Sequence, residues 1–572
     1  MTKKVEKIWI YQGFICLLVL GIYGYGVSHI WGMCMYPDEF GYWSTAAKMA
    51  GWDWSQISSL GSYYSFGYSI ILYPILIFTS DSIAAYRVAV LVNAILMCVA
   101  SFLLQKIVTK LFPERSRLYG IFLSGISVLY PSWIFYMQTT MTEALLSFMV
   151  ILVAYLFLKL LERPKAINVL LLSLAVGYTY TLHMRTVGLV IACILTVLIW
   201  GILEKKIRKN TVIVVLCLAA VLVLAYLGKE AVQDTIYAGS EVLDINDYGG
   251  QVSKIKVLFS LEGMKNVILL TAGKIVYLGL ASGGLFLWGI WWSVKNALQM
   301  VSKVKEKETP DTMHMLSLYL TLLFLGTLGI NCIYTIHSVS LDNLLYGRYI
   351  EFIVPLYVLL GGCCLKEELR KKINLGKVIL PYGISYLLLI LGLWKVESGR
   401  VRGAHSAVLN VFTAGEEINP LIFVVKMGAL GLVCLLVTSL MLWYINEKKG
   451  KEFFLSILIG INLSIGIANS YPIVYTSSEN IRMDLTLIDL MEERIEEGDK
   501  VFFLVEGENQ WIAFLQMQLR EKKIEALKPE NINEIEEENT ILFAYWNSEY
   551  LEKLEEKYDR SVMGDLYYLY YN

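Results

Sequence analysis

The sequence predicts an all-α polytopic membrane protein with a small C-terminal α/β domain. Three observations carry this. Of 572 residues, 56% are hydrophobic and 17% charged, with a mean hydropathy of +0.56; soluble domains run at about 45–50% apolar and about 25% charged. Apolar runs long enough to cross a bilayer, roughly 20 residues, recur through residues 1–475. From about residue 476 the composition turns to Glu, Lys and Asp with only short apolar runs. This balance excludes an ordinary soluble enzyme, a disordered chain, and a collagen or disulfide scaffold. The 49 basic and 50 acidic residues nearly cancel and point to no nucleic-acid partner. The nine cysteines have no paired spacing, and Cys98, Cys193, Cys217 and Cys434 sit in apolar runs as small apolar side chains.

In chain order the spans fall near 8–33, 83–105, 118–137, 143–161, 167–182, 187–203, 211–228, 268–294, 314–336, 348–365, 377–394, 421–445 and 453–473, about thirteen in all. The first apolar stretch is too long for a cleaved signal and lacks a small-residue cleavage site, so it reads as an anchor. The run 66–79 is short and ends before Asp81; it reads as an interfacial or re-entrant helix, with a full span as the rival. Lysine and arginine bias sets orientation. Lys3, Lys4 and Lys7, then Lys106, Lys110, Arg115 and Arg117, then Lys159, Arg163 and Lys165, then Lys205, Lys206, Arg208 and Lys209 mark one face. Lys295, Lys303, Lys305 and Lys307, then Lys366, Arg370, Lys371 and Lys372, then Lys448, Lys449 and Lys451 continue it. That face is cytoplasmic, as is the N-terminus. Loops 34–66, 138–142, 183–186, 229–263, 337–347 and 395–420 carry few positive charges and face outward. An odd span count puts the C-terminal domain, 476–572, outside. In it KVFFLVE (500–506), TILFAYW (540–546) and DLYYLYYN (565–572) read as strands, with helical patterns at 483–497 and 510–522 between them.

The stretch that carries chemistry opens the first outer loop, about 34–82: MYPDEFGYWSTAAKMAGWDW. Asp38 and Glu39 are adjacent, and neighbours on a helix point in different directions. One carboxylate is thus free for chemistry while the other holds a cation or the scaffold. The plain alternative is an acidic helix start favoured by the helix dipole. Charges at span ends are costly to place there, by about 2.5–3.5 kcal/mol at a helix centre, which singles out Glu143, Arg185 and Arg348. Each also has a structural reading: Glu143 as a helix N-terminal acid, Arg185 as a snorkelling side chain, Arg348 as the i,i+3 partner of Glu351. His183, in TLHMRT, is a candidate accessory residue.

A short basic N-terminus, one span and an outer loop opening with Asp-Glu resemble the GT-C class of integral-membrane glycosyltransferases. The likeness is to the family 39 branch that includes protein O-mannosyltransferases and the aminoarabinose- and Rgt-type lipid-carrier-dependent transferases. PDEFGYWSTAAKMA, SFGYSIILYPILIF followed by AAYRVAVLVNAIL, YPSWIFYMQTTMTEALLSF, AGKIVYLGLASGGLFLWG and YGRYIEFIVPLYVLL carry it, in order, over most of residues 1–370. Glu143 stands where relatives often have Asp, and the C-terminal domain resembles no known module. The resemblance implies transfer of a sugar from a polyprenyl-phosphate carrier to a cell-envelope polymer, lipid or protein acceptor at the outer face, inverting, with an outer-loop Asp as general base. It implies Asp38, Glu39 and Glu143 as catalytic acids, Arg348, Arg185 and Arg87 as donor-phosphate cations, and His183 and Tyr349 as accessory residues. Magnesium or manganese at Asp38, Glu39 and Glu143 is open, since hard cations take oxygen ligands. Alternatives are oligosaccharyltransferase- or ligase-like transfer of a preassembled glycan, and a lipid or sugar transporter or flippase. No inverted repeat of the transporter kind is present.

Overall fold

The structure, a computed structural model, describes residues 2–34, 38–204, 208–238, 240, 254–370, 375–393, 396, 399–413, 417–447, 451–482, 484–494, 499–506, 512–535, 539–564 and 566–572. Pro37, Lys205, Lys206, Lys371, Lys372, Lys448, Lys449 and residues 239 and 241–253 of the outer loop expected at 229–263 lie outside these residues.

Helix α1 (Thr2–Val27) is the N-terminal anchor. The segment expected as the first outer loop is itself helical. It holds α2 (Asp38–Ala50), α3 (Ser55–Ser58) and α4 (Ser69–Phe78). Asp38 and Glu39 occupy the first turn of α2, where their charge meets the positive helix end. At 10 residues α4 is about 15 Å long, too short to cross a bilayer. Asp81, which closes that run, caps α5 (Ser82–Leu111) by accepting from the Ala84 amide at 2.7 Å.

The next expected span is broken. Helix α6 (Arg117–Val128) meets α7 (Pro131–Met137) at 58°, with Pro131 opening the second half. Helices α8 (Thr142–Glu162), α9 (Ala166–Leu182), α10 (Val187–Leu203) and α11 (Arg208–Ile236) follow. The apolar stretch 268–294 is also divided: Leu261–Ala281 and Leu285–Lys305 are separate helices. Between them Gly283 and Gly284 take φ of +56° and +82°, a region glycine enters freely. Helix Thr312–Tyr334 leads to a bent segment, Leu341–Glu351 against Val354–Leu365, turned by 80°. The helices Gly376–Gly392, Pro420–Glu447 and Leu455–Ser470 complete the bundle.

Among the described residues nine helices are long and apolar enough to cross a membrane, or eleven if each bent pair is one span. Ala166–Leu182 and Gly376–Gly392, 17 residues each, fall just below that length. The difference from the sequence count of about thirteen lies in these two short helices and in whether the broken spans count as crossings.

A five-stranded sheet ends the chain: β1 (Lys500–Leu504), β2 (Ile524–Leu527), β3 (Thr540–Tyr545), β4 (Arg560–Met563) and β5 (Tyr567–Tyr571), in the order β2-β1-β3-β5-β4. β1 runs parallel to β2 and β3; β5 is antiparallel to β3 and β4. Alternation along β1 splits its side chains between two cores. Val501 and Phe503 pack with the helix Ile512–Leu519 in the main core, while Leu504 joins Leu527, Leu542, Leu554 and Tyr570 on the opposite face. Three strands match the expected runs; β2 and β4, four residues each, are too short to show alternation.

The charge asymmetry sets an orientation that labelling checks. With Cys34 removed, a cysteine at exposed Asn533 reacts with an impermeant thiol reagent on intact cells. One at exposed Lys165 reacts only after lysis. The reverse pattern would overturn the outward placement of the sheet.

Candidate functional site

The two carboxylates that open α2 diverge, as neighbours on a helix must. Glu39 turns inward and is fully buried. Its Oε2 accepts from the Cys34 amide at 2.8 Å. Its Oε1 accepts from the Tyr86 hydroxyl at 2.5 Å and from the amide and hydroxyl of Thr140 at 2.7 and 2.9 Å. Thr140 Oγ1 in turn accepts from Trp43 Nε1 at 2.9 Å. Glu39 thereby joins the end of α1, α2, α5 and the turn between α7 and α8.

Asp38 points the other way. Its Oδ1 accepts from the Tyr64 hydroxyl at 2.5 Å, and its Oδ2 lies 2.5 Å from Arg348 Nη1. Arg348 Nε donates to Glu143 Oε1 at 2.6 Å, and Arg185 Nη2 reaches the same oxygen at 2.8 Å. The result is a chain of alternating charge, Asp38–Arg348–Glu143–Arg185, with no net charge. The Asp38 side chain is 21% exposed, against 2% for Glu143 and Arg185 and 9% for Arg348. Asp38 is the end that opens to solvent. Burial, and then the Asp38 charge, push the Tyr64 phenol well above its ordinary pKa, so it remains a donor to Asp38.

Arg348 is held at its backbone. The amides of Gly347 and Arg348 both donate to the His405 carbonyl, at 2.8 and 2.9 Å. His405 Nδ1 is 2.7 Å from Asp342 Oδ2, and its ring centroid is 4.3 Å from that of Tyr346. A Cβ at residue 347 would fall 2.1 Å from the Tyr277 ring, so only glycine fits before Arg348. Sequence reasoning missed Asp342 and His405, which lie in loops without periodic pattern. The i,i+3 pair Arg348–Glu351 does not form. Glu351 accepts instead from Ser132 Oγ at 2.6 Å, from Tyr130 at 3.4 Å and from the Tyr277 hydroxyl.

The Arg185 guanidinium lies 4.5 Å from the Tyr349 ring centroid and 5.5 Å from that of Phe352. Its Nε and Nη1, and Glu143 Oε2, are buried without a hydrogen-bond partner. His183 Nδ1 accepts from the Arg185 amide at 3.2 Å, and its ring meets Tyr349 edge-on at 5.5 Å. Arg87 is elsewhere: Nε donates to the Ile30 carbonyl at 2.9 Å and the guanidinium lies 4.9 Å from the Trp31 ring, at the end of α1. Of the expected phosphate cations, the structure therefore brings together Arg348 and Arg185, not Arg87.

The three carboxylates do not fit a magnesium or manganese site. Glu39 is taken up by four donors, and Asp38 and Glu143 lie on opposite sides of one guanidinium. Among the described residues no three His, Cys, Asp or Glu side chains gather as a ligand set.

No family model matches the chain, and no curated protein does. Solved structures do match in fold. ArnT from Cupriavidus metallidurans, in the crystal structure bound to undecaprenyl phosphate, aligns at a TM-score of 0.56 with 11% identity, over 98% of this chain and 97% of that one. Its apo form aligns at 0.54 with 12% identity over the same shares. An oligosaccharyltransferase from Archaeoglobus fulgidus aligns at 0.47 with 12% identity, over 91% of this chain and 64% of that one. At such identities the likeness to ArnT is one of fold alone: the chain shares its polytopic helical membrane architecture, as the sequence predicts.

Glu39→Gln replaces an acceptor-only group, surrounded by donors, with an amide that must turn its own N–H toward one of them. Leaving a buried donor unsatisfied costs about 1–3 kcal/mol. A lowered thermal midpoint in detergent is expected, and an unchanged one would show that the loop does not depend on this carboxylate.

Proposed function

We propose that the protein transfers a sugar from a polyprenyl-phosphate carrier to an acceptor on the outer face of the membrane, in one inverting displacement. The observation that carries this reading is the chain Asp38–Arg348–Glu143–Arg185, assembled from four distant segments with Asp38 at its open end. It stands on a fold shared with ArnT, whose crystal structure holds undecaprenyl phosphate.

A hydroxyl acceptor is a weak nucleophile until a positioned base takes its proton. Asp38 is the exposed carboxylate, and Tyr64 and Arg348 hold both its oxygens in place. The acceptor oxygen forms a bond to the anomeric carbon as the bond to the phosphate oxygen breaks, and the acceptor proton passes to Asp38. The leaving polyprenyl phosphate gains charge, which Arg348 and Arg185 neutralise. Glu143 holds those two guanidiniums together and is a positioning residue in this scheme. Tyr349 fixes the plane of Arg185 from below, and His183 fixes its backbone. Before the donor arrives Arg348 is paired with Asp38; a phosphate drawing on the same guanidinium loosens that pair and frees a carboxylate oxygen for the acceptor hydroxyl.

The test is transfer by purified protein in nanodiscs, supplied with a panel of polyprenyl-phosphate sugars and assayed for carrier release. Asp38→Asn is expected to lower turnover by about 10²–10⁴-fold, the usual contribution of a general base, with donor affinity retained. If Asp38→Asn turns over at the wild-type rate while folded, Asp38 is not the base.

Arg348→Ala is expected to weaken the donor step, and Arg348→Lys to restore little of it. An ammonium cannot bridge Asp38 and Glu143 as the planar fork does. Full recovery by lysine, in rate and donor affinity together, would reduce Arg348 to a generic charge.

A further inference from the structure

The C-terminal segment reaches back to the loop that carries Asp38, and the contact is concentrated in one turn, 517–523, between the helix Ile512–Leu519 and β2. Arg520 is its centre. Its Nη1 donates to the Thr79 carbonyl at 2.9 Å and its Nη2 to the Leu76 carbonyl, capping the last turn of α4. Carbonyls at a helix C-terminus lack partners within the helix, and a cation is favoured there. The Arg520 carbonyl accepts from Trp54 Nε1 at 2.7 Å. Ser82 Oγ donates to the Met517 carbonyl, and Lys523 pairs with Asp53 at 2.9 Å. Arg520 has φ of +43°, a conformation a non-glycine residue keeps only when its surroundings demand it.

From this turn a row of stacked planes runs to α2. The Arg520 guanidinium lies 5.1 Å from the Trp52 ring. Trp52 and Trp54 stack at 6.3 Å, and Trp54 stacks on Phe40 at 5.5 Å with 10° between planes. Phe40 lies two residues from Asp38, in the same helix. The next residue, Gly41, is pressed against Tyr64, where a Cβ would fall 2.3 Å from the ring, and Tyr64 donates to Asp38. The row thus ends on both the backbone and a hydrogen-bond partner of the exposed carboxylate.

We propose that the 517–523 turn is a positioning element for Asp38, acting through Arg520, Trp52, Trp54 and Phe40, so that the C-terminal segment is part of the working site. The inference deepens the sugar-transfer reading and rests on it for its catalytic consequence. Its structural half stands alone and is tested alone.

The experiment compares full-length wild type, Arg520→Ala, Arg520→Lys, Trp54→Phe and Lys110→Ala in nanodiscs, by amide hydrogen exchange and by transfer. In Arg520→Ala, exchange across 38–50 is expected to rise by about tenfold or more while 142–162 keeps its protection. Arg520→Lys, without a planar cation to stack and fork, behaves as Arg520→Ala does. Trp54→Phe keeps the stack and removes only the bond to the Arg520 carbonyl; it gives the same regional pattern, smaller. Lys110→Ala, which removes an exposed pair with Glu162 away from this turn, leaves exchange and transfer unchanged. In the transfer assay kcat of Arg520→Ala falls by about 10- to 100-fold, as a misplaced catalytic group does, with the donor KM within about twofold. Unchanged exchange across 38–50 in Arg520→Ala overturns the proposal, and so does a rise that extends equally to 142–162, since that reports general loss of structure. Regional loosening in a protein that transfers no sugar at all supports the positioning role and rejects the reaction instead.

Discussion

Everything around the candidate site depends on one guanidinium, that of Arg348, lying between two carboxylates. An ion taken out of water costs several kcal/mol and is tolerated only when paired and hydrogen-bonded. Arg348 and Glu143 are both buried, so neither can be placed unless the other arrives with it. Arg185 shares the Glu143 oxygen, and Asp38 closes the row. The bond network thus obliges the start of α2, the start of α8, the turn before α10 and the segment Arg348–Glu351 to meet at one point. Neutrality of the row makes it stable without a ligand. The unpartnered nitrogens of Arg185 and the solvent-facing side of Asp38 leave it open to one.

Helix breaks are what allow those segments to approach. Backbone that leaves the helix at membrane depth must be covered by protein, because lipid cannot satisfy its polar groups. Three breaks cluster around Glu351. Tyr130 and Ser132 stand at the junction of α6 and α7, Glu351 ends the first limb of the 80° bend, and Tyr277 lies just over one turn before the Ser282–Gly284 interruption. All three hydroxyls converge on Glu351 Oε1, so one carboxylate holds the broken segments at fixed separation. Arg348 is on the same short turn and inherits that rigidity.

How much of this was legible in the sequence follows from what kind of interaction was involved. Spans are long and repetitive, and their apolar runs located the helices to within about two turns at each end; the interruptions at Leu129–Tyr130, Ser282–Gly284 and Phe352–Ile353 were hidden, because a break leaves composition apolar. Charge type and position singled out Asp38, Glu143, Arg185 and Arg348, but not their pairing. The nearest partner in sequence for Arg348 is Glu351, yet the structure pairs it across 205 positions with Glu143. Arg87 shows the converse, an arginine of the same type and place along a span that is satisfied by the end of α1. Asp342 and His405 left no signal, since a backbone carbonyl does the holding and a carbonyl has no residue identity.

The adjacent acids of α2 are not interchangeable, and helix geometry explains why. Successive side chains on a helix are turned by about 100°, so only one of two neighbours can face the bundle. The inward position meets Cys34, Tyr86 and Thr140 at once, and its donors lie on three separate elements. Glutamate, with one more methylene than aspartate, spans that space. The outward position needs the opposite: a short carboxylate that stays near the backbone, where Tyr64 and Arg348 fix both oxygens and little freedom remains. The pair divides into an anchor and an exposed acid, and the anchor is what gives the exposed acid a defined place.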